Sequence, residues 1–346
     1  MIDPHVHLRD WNQKEKESVE HGLAVARKAG FQRLFDMPNT NPAITSRDMA
    51  LERIALAQAV IKKHFRKGGM AYSLYIGLTA DEEQIREAVS CSQELFPLVC
   101  GLKLFAGQST GNMGIVEKSE QDRIFSLLAR FGYEGVVAVH CEKESLMRPE
   151  LFVKGMWETH SLARPSVAEI ESIRDIIDAA EKADFRGNLH IAHISTAGGI
   201  ELVRSARERG MRISCGATPH HALLSVEDAR EHDRYLKMNP PLRQEEDRKA
   251  VFQGLLDGTI DWAESDHAPH TLEDKEKGAS GIPGFSGMLL LLSRLRMEGA
   301  DEEHLRNLFG RNVLRVFGFD DEEVTLPADP LALKRRIDGE YPIRPF

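Results

Sequence analysis

Strand-like and helix-like segments alternate along the whole 346-residue chain, and eight of them read as strands. These are the stretch holding His5 and His7, then Phe31–Asp36, Met70–Leu78, Leu98–Phe105, Gly135–His140, Asn188–Ile194, Met211–Gly216 and Ile260–Asp266. Amphipathic stretches fall between them: roughly 14–29, ended by Gly30 as the residue after a helix cap, then a long helix after Ser46 and one capped by Asp81. Further helices are expected from about Ser119, from Ser166, after Thr196, and from Ser286 and Asp301. Strands separated by helices imply a parallel sheet, because parallel neighbours need a crossover of a dozen or more residues. Eight is the number that closes such a sheet. The expected fold class is therefore α/β, a TIM (β/α)8 barrel over residues 1–318, with 319–346 as a C-terminal extension packing on it.

The length suits one large barrel, typically about 250 residues with room for insertions. Hydrophobic residues make up 42% and charged residues 29%, as in a soluble globular enzyme. The net charge of −9, with acids and bases interspersed, argues against a broad nucleic-acid or membrane surface. An anionic substrate would then need local arginines. Cys91, Cys100, Cys141 and Cys215 form no C-x-x-C pair and no disulfide framework, which reads as reduced thiols in a cytoplasmic protein. No apolar stretch of membrane length and no signal peptide is expected.

In such barrels chemistry gathers at the carboxyl ends of the strands. His5 and His7 are two apart on a strand, so both imidazoles face one way, and Arg9 continues that face. Alone, the pair could equally be two surface histidines. His140 ends the fifth strand, His193 the sixth and Asp266 the eighth. Each has an ordinary alternative: a core histidine bonded to a carbonyl, or an aspartate capping a turn. His190 is an odd step from His193 and is expected on the opposite face. Lys103 lies inside Val-Cys-Gly-Leu-Lys-Leu-Phe, and a lysine is rarely buried without a partner. Burial depresses an amine's pKa, and a neutral amine can add carbon dioxide to become a carbamate, an anionic ligand for two cations.

The ordered set of H-x-H, buried lysine, two histidines and an aspartate resembles the amidohydrolase superfamily of metal-dependent hydrolases. More narrowly, the chain resembles the dihydroorotase family. The resemblance rests on Asp-Pro-His-Val-His-Leu-Arg-Asp (3–10), Met-Pro-Asn-Thr-Asn-Pro (37–42), Gly-Leu-Lys-Leu-Phe (101–105) and Val-His-Cys-Glu (139–142). It continues through His-Ile-Ala-His-Ile-Ser-Thr (190–196), Thr-Pro-His-His (218–221), Met-Asn-Pro-Pro-Leu-Arg (238–243), Ser-Asp-His-Ala-Pro-His (265–270) and Pro-Gly-Phe-Ser-Gly (283–287). It implies two zinc ions, with His5, His7 and Asp266 on one and His140 and His193 on the other. N6-carboxylated Lys103 and a hydroxide would bridge them. Asp266 would carry protons during catalysis.

The resemblance further implies that Arg9, Asn39 and His270 bind a substrate carboxylate, with Asn239 and the backbone near Pro283 as weaker ring contacts. Ser109 and Thr110 fall where some members use a mobile loop. The implied reaction interconverts N-carbamoyl-L-aspartate and L-dihydroorotate in pyrimidine synthesis. Another cyclic amidohydrolase (a hydantoinase or allantoinase) and a non-catalytic partner of aspartate transcarbamoylase are the alternatives. A homodimer and a transcarbamoylase complex stay open. The chain departs from members that carry a small β-sandwich: the H-x-H begins at residue 5, and the run from Asp320 lacks the sandwich pattern, as expected for a bare barrel.

Overall fold

The computed structural model describes residues 1–65, 69–109, 113–319 and 322–346, those at 232–234 by backbone alone. Eight strands follow in chain order: β1 (Ile2–Val6), β2 (Arg33–Asp36), β3 (Ala71–Gly77), β4 (Val99–Ala106), β5 (Val136–Cys141), β6 (Asn188–Ile191), β7 (Ile213–Ala217) and β8 (Trp262–Ala263). Each pairs in parallel with the next, in the order β1 to β8. The ring closes through one bridge between Val6 and His267, where the His7 N–H donates to His267 O at 2.8 Å. This is the expected (β/α)8 barrel.

Side-chain alternation divides the core in two. Inside the barrel, Ile2, Phe35, Tyr75, Val136, Ala138 and Trp262 pack together, and Leu314 and Phe317 of the helix Asn312–Phe317 join them. Outside, Leu34, Leu74, Leu102, Val137 and Leu189 meet the helices. A register irregularity at the start of β4 resets its parity, so Gly101, Lys103 and Phe105 share the inward side. Lys103 then lies level with Ala138 on β5, two residues before His140.

Most helix starts fall at their caps. Ser46, Asp81 and Thr196 each accept a backbone N–H in the first turn of the helix that follows. The first helix differs. It spans Val19–Lys28 rather than starting near residue 14, because Ser18 caps it and Asp10 holds the preceding turn by accepting from the Trp11 and Val19 N–H groups. Strands β6 and β8 end earlier than expected. His193 and Asp266 take left-handed backbone conformations (φ 38° and 46°) that cannot continue a strand. The last helix, Pro330–Ile337, packs against the helices Phe285–Met297 and Val19–Lys28. No helix among the described residues is long and apolar enough to cross a membrane, and all four cysteines are free and buried.

Candidate metal centre

The strand ends bring the titratable side chains into one cleft. His5 lies on β1 and His7 just beyond it, with ring centroids 5.3 Å apart. Asp266 arrives from the turn after β8, its Oδ1 2.9 Å from His7 Nε2 and 3.5 Å from His5 Nε2. One donor atom from each of the three lies within 4.8 Å of the others. His140 on β5 and His193 after β6 form a second pair, Nδ1 to Nε2 at 3.1 Å. The His5 and His193 rings stand 5.1 Å apart, so the two groups adjoin. Lys103 is fully buried below them. Its Nζ has no hydrogen-bond partner among the described residues and sits 5.1 Å from the Phe105 ring centre.

Charge and protonation suit this set to cations. Burial lowers the pKa of His5 to about 4 and pushes His7, His140 and His193 down as well, so all four are neutral near pH 7. Burial alone would raise Asp266, but its close contacts with His7 and His5 outweigh burial and hold the carboxyl well below its usual range. Asn39 Oδ1 lies 2.7 Å from His7 Nδ1 and accepts its hydrogen. His7 Nε2 then points a lone pair at a carboxylate oxygen, and two acceptors 2.9 Å apart are held together only by a cation or a proton between them. Imidazole nitrogens and a carboxylate are the ligand types a divalent ion such as zinc takes. Burial lowers Lys103 to about 8, which leaves a useful fraction of free amine at neutral pH.

A second layer braces the rings. Asn39 fixes His7. Glu142 Oε2 lies 3.1 Å from His140 Nε2, and Arg164 Nε donates to Glu142 Oε1 at 3.0 Å. Glu264 Oε1 lies 3.4 Å from His5 Nδ1. Glu142, Arg164 and Glu264 escaped the reading of the sequence. Two of them carried a signal: Glu142 is two residues after His140 and Glu264 two before Asp266, the spacing that returns a side chain to the same side of a strand.

Arg9, Asn39, Ser109 and Asn239 line the same cleft. Arg9 is 2% exposed, has no ion pair among the described residues, and its Nε lacks a partner. His270 stands beside it, Nε2 3.3 Å from Arg9 Nη2 and 2.9 Å from Ser280 O. Asn239 Oδ1 is taken by His160 Nε2 at 2.9 Å. Pro283 is not on the cleft. It lines a separate hollow with Ile337 and Tyr341, while Ser280 and Gly281, three and two residues before it, line the cleft. His190 departs from expectation as well. It also points into the barrel, stacked on Trp262 at 4.4 Å, since the break in β6 before His193 cancels the parity argument. Thr110 lies outside the described residues.

No protein-family model matches the chain. Among curated relatives, a dihydroorotase of Thermococcus kodakarensis is 37% identical over 294 residues, 84% of this chain and 61% of that protein. One from Bacillus cereus is 35% identical over 299 residues, covering 84% and 65%, so the chain spans less than two thirds of both. One from Lactobacillus johnsonii is 30% identical over 337 residues, 95% of this chain and 75% of that protein. Among solved structures, the L-hydantoinase of Arthrobacter aurescens superposes with a TM-score of 0.82 at 25% identity, over 94% of this chain and 72% of that one. A dihydroorotase of Campylobacter jejuni shares the fold, with a TM-score of 0.70 at 18% identity over 93% and 84%. Similarity at this level over nearly the full chain, on the same barrel, shows that the protein belongs to the dihydroorotase family.

Proposed function

We propose that the chain catalyses the reversible ring closure of N-carbamoyl-L-aspartate to L-dihydroorotate, with loss of water, as a step of pyrimidine synthesis. The observation that carries this reading is Arg9. A buried guanidinium without an anionic partner among the described residues opens onto the cleft that holds His5, His7 and Asp266, so the cleft calls for a substrate with its own carboxylate.

His5, His7 and Asp266 would hold one zinc ion, His140 and His193 a second, and Lys103 as a carbamate would bridge both. The carbamate forms when the free amine adds carbon dioxide and releases one proton. Ions bound there supply Lewis-acid polarisation of the amide carbonyl and lower the pKa of water at the site. Asp266, ionised and buried, accepts a proton from the attacking water in ring opening. It returns that proton to the departing ring nitrogen, and the order reverses in ring closure. Arg9 anchors the substrate carboxylate, with His270 beside it and Asn239 lining the same cleft. Asn39 acts chiefly by holding the His7 tautomer.

The superposition on an L-hydantoinase supports a second reading, a cyclic amidohydrolase for uncharged rings. Arg9 separates the two. The test is ring opening of L-dihydroorotate and of an uncharged hydantoin by the same zinc-loaded sample, with bound zinc counted. Preference for dihydroorotate with about two zinc ions per chain is the expected result. Preference for the hydantoin would replace the first reading with the second.

A further inference from the structure

Glu264 is a fully buried carboxylate two residues before Asp266. It accepts from the Trp262 indole N–H at 3.0 Å, lies 3.2 Å from His190 Nε2, and accepts the backbone N–H of His193 through its other oxygen. That same oxygen, Oε1, lies 3.4 Å from His5 Nδ1. One side chain therefore touches both groups of the candidate centre: a ring on β1 and the backbone that sets a ring after β6.

The surroundings are shaped to hold it. Gly216 on β7 lies against the carboxylate, and a Cβ there would collide with Glu264 Oε2 and sit 2.8 Å from Trp262 Nε1. Ser214 Oγ lies 3.1 Å from His190 Nδ1, which leaves His190 Nε2 to face Glu264. A carboxylate 3.4 Å from His5 Nδ1 favours the tautomer with its hydrogen on that nitrogen, which leaves the Nε2 lone pair turned toward Asp266, 3.5 Å away.

We propose that Glu264 is the positioning residue that sets the His5 tautomer and the placement of His193 together, so that the two halves of the site bind metal as a unit. The proposal rests on the assignment of those histidines as ligands, but not on the identity of the substrate.

Zinc alone is the probe. The purified full chain is stripped, reloaded with zinc and titrated against a competing chelator, with stoichiometry and the unfolding temperature of the metal-free form measured alongside. In Glu264→Gln, zinc affinity is expected to fall by about 10- to 100-fold, the cost usual for the outer partner of a metal-bound histidine. Wild-type zinc affinity in a folded Glu264→Gln variant would overturn the proposal, and so would a variant whose only change is a lower unfolding temperature. Gly216→Ala keeps the charge and displaces the carboxylate. It is expected to weaken zinc binding as well, and if Glu264→Gln does not fold, unchanged affinity in Gly216→Ala overturns the proposal. Wild-type protein that binds zinc but leaves dihydroorotate intact would remove the proposed reaction and leave this test standing.

Discussion

At the scale of single residues, the site is governed by what burial does to charge. Asp266 stays ionised against the cost of burial, the form in which the proposed reaction has it take a proton and give it back. Asp266→Asn is expected to lower kcat by at least about 100-fold while one zinc or more per chain remains, as steady-state rates with metal analysis on the same preparation would show. Arg9→Met removes a charge-assisted contact of about 1.5–3 kcal/mol, so kcat/KM for dihydroorotate should fall roughly 10- to 100-fold. The variant should keep its metals and lose its preference over uncharged rings. Lys103, lowered to about 8 by burial, should carry a carbamate whose occupancy rises with pH as the free amine grows. Carbon-13 NMR with labelled bicarbonate should find that signal in the wild type and lose it in Lys103→Ala.

At the scale of elements, connections between strand ends set the positions of these groups. Gly107 follows β4 with φ 142°, and a Cβ there would collide with the Glu142 carbonyl beside His140. Gly107→Ala should therefore weaken zinc binding as well as stability. The C-terminal segment also reaches the rim. Tyr341 donates to Glu17 at 2.6 Å, and His267, the neighbour of Asp266, lies 3.2 Å from the other Glu17 oxygen. Burial opposes the Glu17 charge, but His267, His21 and Tyr341 outweigh it and bring the pKa down to about 2 from an ordinary 4.5. A folded-state pKa below the unfolded value gives stability that is present in full above about pH 4.5 and is lost as pH falls through about 2. The shift corresponds to about 3 kcal/mol. Glu17→Gln should flatten acid unfolding across that window, measured by circular dichroism against pH.

At the scale of the whole molecule, the barrel closes at its weakest seam just where the candidate ligands lie. Strand β8 has two residues, and the segment after it meets β1 through one bridge at His267. Metal held by His5 and His7 from β1 and Asp266 from beyond β8 would clamp that seam. At free zinc about 100 times its dissociation constant the gain is about 2.7 kcal/mol. Chelation should lower the unfolding temperature by several degrees and speed hydrogen exchange at residues 2–9 and 262–268 more than in β3. Equal change in all strands would count against the clamp.

Local pattern was enough for much of this. The alternation of strands and helices, the caps at Ser46, Asp81 and Thr196, and the inward pairing of His5 with His7 follow from periods of two and 3.6 residues, which act over a few neighbours. Those periods hold only while the backbone stays regular. His193 and Asp266 sit where it turns left-handed, so parity misplaced His190, and β8 ended sooner than its composition suggested. Contacts between distant segments carry no such period: Glu264 under His5, Arg164 on Glu142, Asn39 on His7 and Tyr341 on Glu17 join residues from 22 to 324 positions apart. The sequence by itself determined which chemical groups the protein has and that a barrel would gather them at one rim. Only the tertiary structure decided which groups touch, because burial and hydrogen bonding between strands set the charge, tautomer and aim of each side chain.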